Sequence, residues 1–154
     1  MNIMKKLSFC LLLFFSLLFC SCNSEWQKEI DFIDNVLSEH VDLSNYNWLV
    51  IIPGVGCNGC IQEGEYFLKK HVSDKTIGFV LTNISSLKIL QQKTGLKLKE
   101  HDNIYADTDN AFIVETHNSV YPCVVEIKDH HVVSLEFQSP QTPALRNLEE
   151  ILLK

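Results

Sequence analysis

The sequence predicts an α/β domain built as a central mixed β-sheet flanked by helices. Three observations predict it. Segments with a helical hydrophobic period alternate with short continuous apolar runs. The alternation ends in two closely spaced apolar runs. Setting aside an N-terminal apolar leader of residues 1–21 leaves 133 residues. Alternation followed by a hairpin indicates helices layered around a mixed sheet, and this length suits one domain with one buried core.

The elements follow in order. Trp26, Ile30, Ile33 and Leu37 recur at helical spacing between Glu25 and His40, giving an amphipathic first helix. Asn47 to Pro53 is a continuous apolar run, as expected of a strand buried on both faces. Gly59 to Val72 reads as a helix with Ile61, Phe67, Leu68 and Val72 inward, and Thr76 to Thr82 as a second buried strand. Asn83-Ile-Ser-Ser opens a further helix with Leu87, Ile89 and Leu90 as core candidates, closed by Gly95. Ile104–Ala106 and Ala111–Val114 are short and ambiguous between strand and loop. Pro122–Lys128 and His131–Phe137 flank Asp129-His130 and make a hairpin. Pro143 starts a last helix with Leu145, Leu148, Ile151 and Leu152 apolar. The sequence contains no repeat or low-complexity tract.

The N-terminus reads as an export signal. Lys5-Lys6 precedes an uncharged run from Leu7 to Phe19, followed by Cys20-Ser21-Cys22. The run is well short of the ~20 residues of a membrane-spanning helix. Its end resembles the lipobox of bacterial lipoproteins, where cleavage precedes a cysteine that is then lipidated. Ser21 is small, so Cys22 fits the lipidated position better than Cys20, although Phe19 stands where Leu is usual. The alternative is an ordinary cleaved signal that leaves Cys22 a spare thiol. The whole chain carries 13 basic and 19 acidic residues; the leader takes two lysines and no acid with it, so the mature form has net charge −8. An acidic chain with no basic cluster argues against a nucleic-acid partner and against electrostatic adhesion to anionic lipid.

Four cysteines remain after cleavage: Cys22, Cys57, Cys60 and Cys123. With Cys22 acylated, the economical reading pairs Cys57 with Cys60 and leaves Cys123 over. The Cys57-Asn58-Gly59-Cys60 motif follows a buried strand and a Gly-bearing loop and sits where a helix begins. A helix N-terminus presents free N–H groups and partial positive charge, which favour thiolate over thiol. Strand, Cys-x-x-Cys, helix, strand, helix, then Tyr121-Pro122 opening a hairpin and a closing helix together resemble the thioredoxin fold. Within that fold the chain is most similar to exported, membrane-tethered thioredoxin-like proteins of the TlpA type.

The resemblance covers residues 45–154, with residues 22–44 a tether and an added N-terminal helix. It implies that Cys57 attacks and Cys60 resolves. It also implies that Pro122 is a cis-proline whose loop, with Tyr121, faces the disulfide and holds a substrate segment. The implied activity is thiol–disulfide exchange, in the reducing direction, on exported proteins bearing disulfides or dithiols. Electrons would come from a membrane redox donor. The expected setting is a bacterial cell envelope, with a lipid-anchored domain in the periplasm or at the cell surface, monomeric and without a cofactor.

The chain departs from that family at three places: Gly56 stands where Trp usually precedes the first cysteine, Asn58-Gly59 replaces Gly-Pro, and Ile51 occupies the strand position of a buried acid. Glu63 and Glu65 are candidates to replace that acid, though both read first as solvent-facing helix carboxylates. Two other functions compete. One is a binding lipoprotein in which Cys57–Cys60 is a structural bridge. The other is a Cu(I) site of Cys57, Cys60 and His117, faintly resembling Sco-type proteins, whose motif is one residue longer. Cys123 reads as apolar filler rather than a third redox thiol. The chain's only arginine, Arg146, lies in the last helix, which argues against a peroxide-binding site.

Overall fold

The computed structural model describes residues 24–154; the leader and Cys22 lie outside the described residues. The helices are α1 (Glu25–His40), α2 (Asn58–His71), α3 (Leu87–Thr94) and α4 (Ala144–Leu152). The strands are β1 (Trp48–Pro53), β2 (Ile77–Thr82), β3 (Ile104–Ala106), β4 (Cys123–Lys128) and β5 (His131–Phe137). They form one five-stranded sheet in the order β3-β2-β1-β4-β5. β1, β2 and β3 run parallel, whereas β4 is antiparallel to β1 and to β5. The fold is therefore α/β with a mixed sheet flanked by helices, an arrangement compatible with a thioredoxin-like fold.

Side chains alternate across each strand, and this sorts the core into two layers. Leu49, Ile51, Val80, Cys123 and Val125 face α1, meeting Ile30, Ile33 and Leu37. Val50, Ile52, Phe79, Leu81 and Val124 face the opposite layer, where Phe67 and Leu68 of α2, Leu90 of α3 and Leu145 and Leu148 of α4 pack. Apolar burial on both faces explains why β1 and β2 read as unbroken hydrophobic runs. α1 begins at Ser24, whose hydroxyl caps Gln27 N–H. Gly95 ends α3 in the left-handed conformation, returning its N–H to Gln91 O at 2.9 Å.

Several sequence expectations are corrected. Leu87 and Ile89 are exposed, and Leu90 with Thr94 alone is buried on α3. A helix of two turns offers the core one i, i+4 pair and no more. Trp26 is half exposed because its indole lies on the flank of β5, Nε1 donating to Leu135 O at 3.4 Å. Ile151 is exposed past the end of the α4 contact. Ala111–Val114, left ambiguous by the sequence, is not a strand: Asp107, itself buried, accepts from Ala111 N and Phe112 N, each at 3.0 Å, and from Thr82 Oγ1 at 2.6 Å. That side chain satisfies the backbone locally, so the segment turns instead of joining the sheet. Among the described residues no helix is long and apolar enough to cross a membrane.

Candidate active site

The site grows out of the C-terminal end of β1. Pro53 ends the strand, Gly54 N–H still reaches Thr82 O at 2.8 Å, and the chain turns through Val55 and Gly56 into α2. Gly56 adopts φ +150°, and a Cβ there would fall 2.3 Å from Val120 O. The backbone of the loop before Tyr121 therefore occupies the space beside this residue, which leaves no room for the Trp of the resembled family. Cys57 N–H donates to the same Val120 carbonyl at 3.0 Å. Two distant segments are thus joined at the first cysteine.

Cys57 is the N-cap of α2 and makes no side-chain capping bond. It lies at the end of the helix that carries unpaired N–H groups. Cys60 lies in the first turn, and the two are disulfide-bonded with Cα atoms 5.4 Å apart, inside the usual range for such a bridge. Cys57 is half-buried whereas Cys60 is only 5% exposed. An incoming thiol or disulfide therefore meets Cys57 first.

Pro122 is buried against α2: a Cβ at Gly64 would lie 3.2 Å from its Cγ, and its carbonyl accepts from Gln138 N at 2.7 Å. The loop packs against α2, the helix that carries Cys60, while neither Tyr121 nor Pro122 lines the disulfide cavity. The isomer differs from the cis form that the resemblance implies. The Tyr121–Pro122 bond is trans, the form an X-Pro bond favours by about 0.5–1 kcal/mol, and it is Val120 rather than Pro122 that bonds to Cys57. The loop is held from behind by α1, since the buried carboxylate of Glu29 accepts from Thr116 Oγ1 and, at 2.9 Å, from Asn118 Nδ2. Tyr121 is half-buried beside it and lines a cavity of about 460 Å³ with Trp26, Glu29 and His117.

A second cavity, of about 410 Å³, holds the disulfide itself. Cys57, Cys60 and Glu63 form its α2 wall, and Gln138 with the Ser139–Gln141 turn and Arg146 closes the other side. The two glutamates separate here. Glu65 is paired with Lys93 of α3 at 2.8 Å, whereas Glu63 accepts from Gln138 Nε2 and stays with the cysteines. Gln138 escaped sequence reasoning; only its polar character between the hairpin and Pro143 marked it, and nothing tied it to a partner 75 residues away.

The other expected residues fall elsewhere. Cys123 is free and buried on the α1 face of the sheet, paired in register with Ile51, the opposite side from α2. Burial, with Glu29 nearby, pushes its thiol pKa far up. It is a core side chain. His117 is exposed and belongs to the Trp26 cavity. Among the described residues no three His, Cys, Asp or Glu side chains converge as a metal site requires, so His117 does not join Cys57 and Cys60. No family model matches this chain, and no curated protein or solved structure matches it either.

Proposed function

We propose that the protein is a thiol–disulfide oxidoreductase that reduces disulfides of exported proteins through Cys57 and Cys60. One observation carries the reading: a half-buried cysteine at a helix N-cap, bridged to a buried cysteine one turn on, with both lining a surface cavity. In the reduced protein the thiolate of Cys57 attacks a substrate disulfide, releasing one substrate thiol and forming a mixed disulfide. Cys60 then attacks Cys57 Sγ, the second substrate thiol leaves, and the Cys57–Cys60 bridge is formed. The substrate gains the two electrons that the dithiol loses. The reducing direction, a membrane redox donor that restores the dithiol, and action as a monomer without a cofactor belong to the same proposal. So do acylation of Cys22 and a place in the bacterial cell envelope.

Redox titration of the mature protein in glutathione buffers, followed by alkylation and intact mass, tests it. Cys57 and Cys60 should gain and lose alkyl groups together in a single two-electron step. Cys57→Ser should abolish turnover of a disulfide substrate, and Cys60→Ser should accumulate the mixed disulfide. Ile51 and Gly56, at positions where the resembled enzymes carry an acid and Trp, favour a second reading, a binding lipoprotein with a structural bridge. A disulfide that resists dithiothreitol would establish that reading instead.

A further inference from the structure

We infer that the cavity between the start of α1 and β5 is a substrate subsite, which takes a lysine or arginine side chain of the protein whose disulfide is reduced. The inference rests on the dithiol chemistry proposed above. This cavity, of about 460 Å³, is distinct from the one that holds the disulfide, and its volume lies in the range of ligand-holding clefts. Its wall includes Glu25, Trp26 and Glu29 of α1, the helix that precedes the region of family resemblance.

Glu29 points to the charge of the guest. It is 4% exposed, yet among the described residues no cationic side chain pairs with it. Its Oε1 accepts from Thr116 Oγ1 and, at 2.9 Å, from Asn118 Nδ2. Its Oε2 accepts no hydrogen bond among the described residues. Nor is that oxygen walled in, because Asn103 Oδ1 is the only sealed side-chain atom there without a partner. Glu29 lines the cavity, so Oε2 is the oxygen that opens on it. A carboxylate this far withdrawn from water is costly without a compensating positive charge, and the cavity is the route by which one can reach it.

The rest of the lining fits the same guest. Glu25, exposed in the first turn of α1, adds a second carboxylate, and the half-exposed Trp26 with Tyr121 and Phe137 gives aromatic surface against which a cation can rest. Lysine and arginine are absent from the lining, and its sole basic side chain, His117, is exposed. The position fits a substrate held at Cys57. Ser139 and Gln141 line both cavities, so a single turn separates them. That turn is braced by Ser139 N–H to Thr142 O at 3.0 Å and Thr142 N–H to Ser139 O at 3.2 Å. A substrate segment that crosses it brings a cysteine to Cys57 and a neighbouring side chain into the cavity of Trp26 and Glu29.

Short peptides test the subsite. Each carries one cysteine as a mixed disulfide with 5-thio-2-nitrobenzoate and one arginine at a stepped distance from it, and each has a twin with citrulline in place of arginine. Release of the coloured thiolate by the reduced mature protein gives the second-order rate. At one or more spacings the arginine peptide should react about tenfold faster than its twin, and the ratio should shrink as salt is raised. Glu29→Gln keeps an acceptor for Thr116 and Asn118, so the loop stays held, and the ratio should fall to about one. Glu25→Gln, at an exposed position that carries no core contact, should lower the ratio roughly twofold. Twins that react alike at every spacing overturn the subsite and leave the dithiol reading standing. A wild-type ratio in both variants overturns it too, since the preference would then come from the overall negative charge of the chain. If neither peptide of any pair is reduced, the dithiol reading falls, and this inference with it.

Discussion

Gly56→Ala should cost the protein about 3 kcal/mol, and the number follows from the contact with Val120. The new Cβ would meet Val120 O at 2.3 Å, Cα at 2.7 Å and C at 2.8 Å. These are backbone atoms, which cannot rotate aside as a side chain would. The residue also holds φ +150°, and such a conformation costs a non-glycine residue roughly 1–3 kcal/mol. Moving the Val120 loop stretches the 3.0 Å bond from Cys57 N–H, worth about 1 kcal/mol net. Together these give a loss of about 2–4 kcal/mol.

Gly59→Ala is the matched control on the other side of Cys57. Nothing lies within 4 Å of a Cβ there, and the position is in the first turn of α2. Alanine should stabilise by about 0.4–1 kcal/mol, chiefly by restricting the unfolded chain. Equilibrium urea denaturation of the oxidised protein reads both effects, provided the two variants keep the wild-type slope. A Gly56→Ala midpoint within about 0.5 kcal/mol of wild type would refute the claim that Val120 fills the space beside Gly56. So would a destabilised Gly59→Ala, since it would show that any side chain near the disulfide is harmful.

Three further outcomes are expected. Burial holds the Cys123 thiol protonated past its ordinary pKa of 9.0, so stability is intact below pH 9 and lost above it, where the unfolded chain releases the proton. Between pH 8 and 10 the wild type should lose about 1.4 kcal/mol more than Cys123→Ala in parallel denaturation curves. The Glu149 carboxyl is held below its ordinary 4.5, first by the hydrogen bond from Lys70 and then by His71. Its contribution is present above that pH and lost as the pH falls below it. Glu149→Gln should flatten the acid limb of stability between pH 5 and 3 by no more than about 1 kcal/mol, since the pair is partly exposed. Cys22→Ala should release protein from membranes or block processing, read by detergent-phase partitioning and N-terminal mass; an unacylated wild-type N-terminus would remove the anchor.

What could be read in the sequence depended on how far the cause lay from the residue. α1 was legible over its whole length because Ile30, Ile33 and Leu37 repeat with the period of a helix that has one buried face. β1 and β2 were legible because a strand covered on both sides leaves no polar position. Leu87 and Ile89 misled because hydrophobicity does not say which side of a two-turn helix meets the core. The disulfide motif stood out, but its surroundings did not. Gly56 read as a departure from a family pattern until Val120 was found beside it, and Glu63 could be told from Glu65 only once Lys93 and Gln138 had been placed. Those partners lie 28 and 75 residues away, and no local spacing encodes them.

The seating of α1 bears on where such a protein can work. Trp26, in its first turn, shares a cavity with Tyr121, and the neighbouring Val120 is bonded to Cys57. The start of α1 and the disulfide thus lie at one end of the domain. Ser24 already caps the helix, so a lipid on Cys22 would be joined to that end by a leash of about 7–10 Å at full stretch. Were Cys22 acylated as proposed, a domain so closely tied could not sweep a large volume of the compartment around it. Its reactive sulfur would be confined to a thin shell over the bilayer, and a partner embedded in or lying on the same surface would meet it at high local concentration, while a freely diffusing one would have to come to the membrane to be reduced.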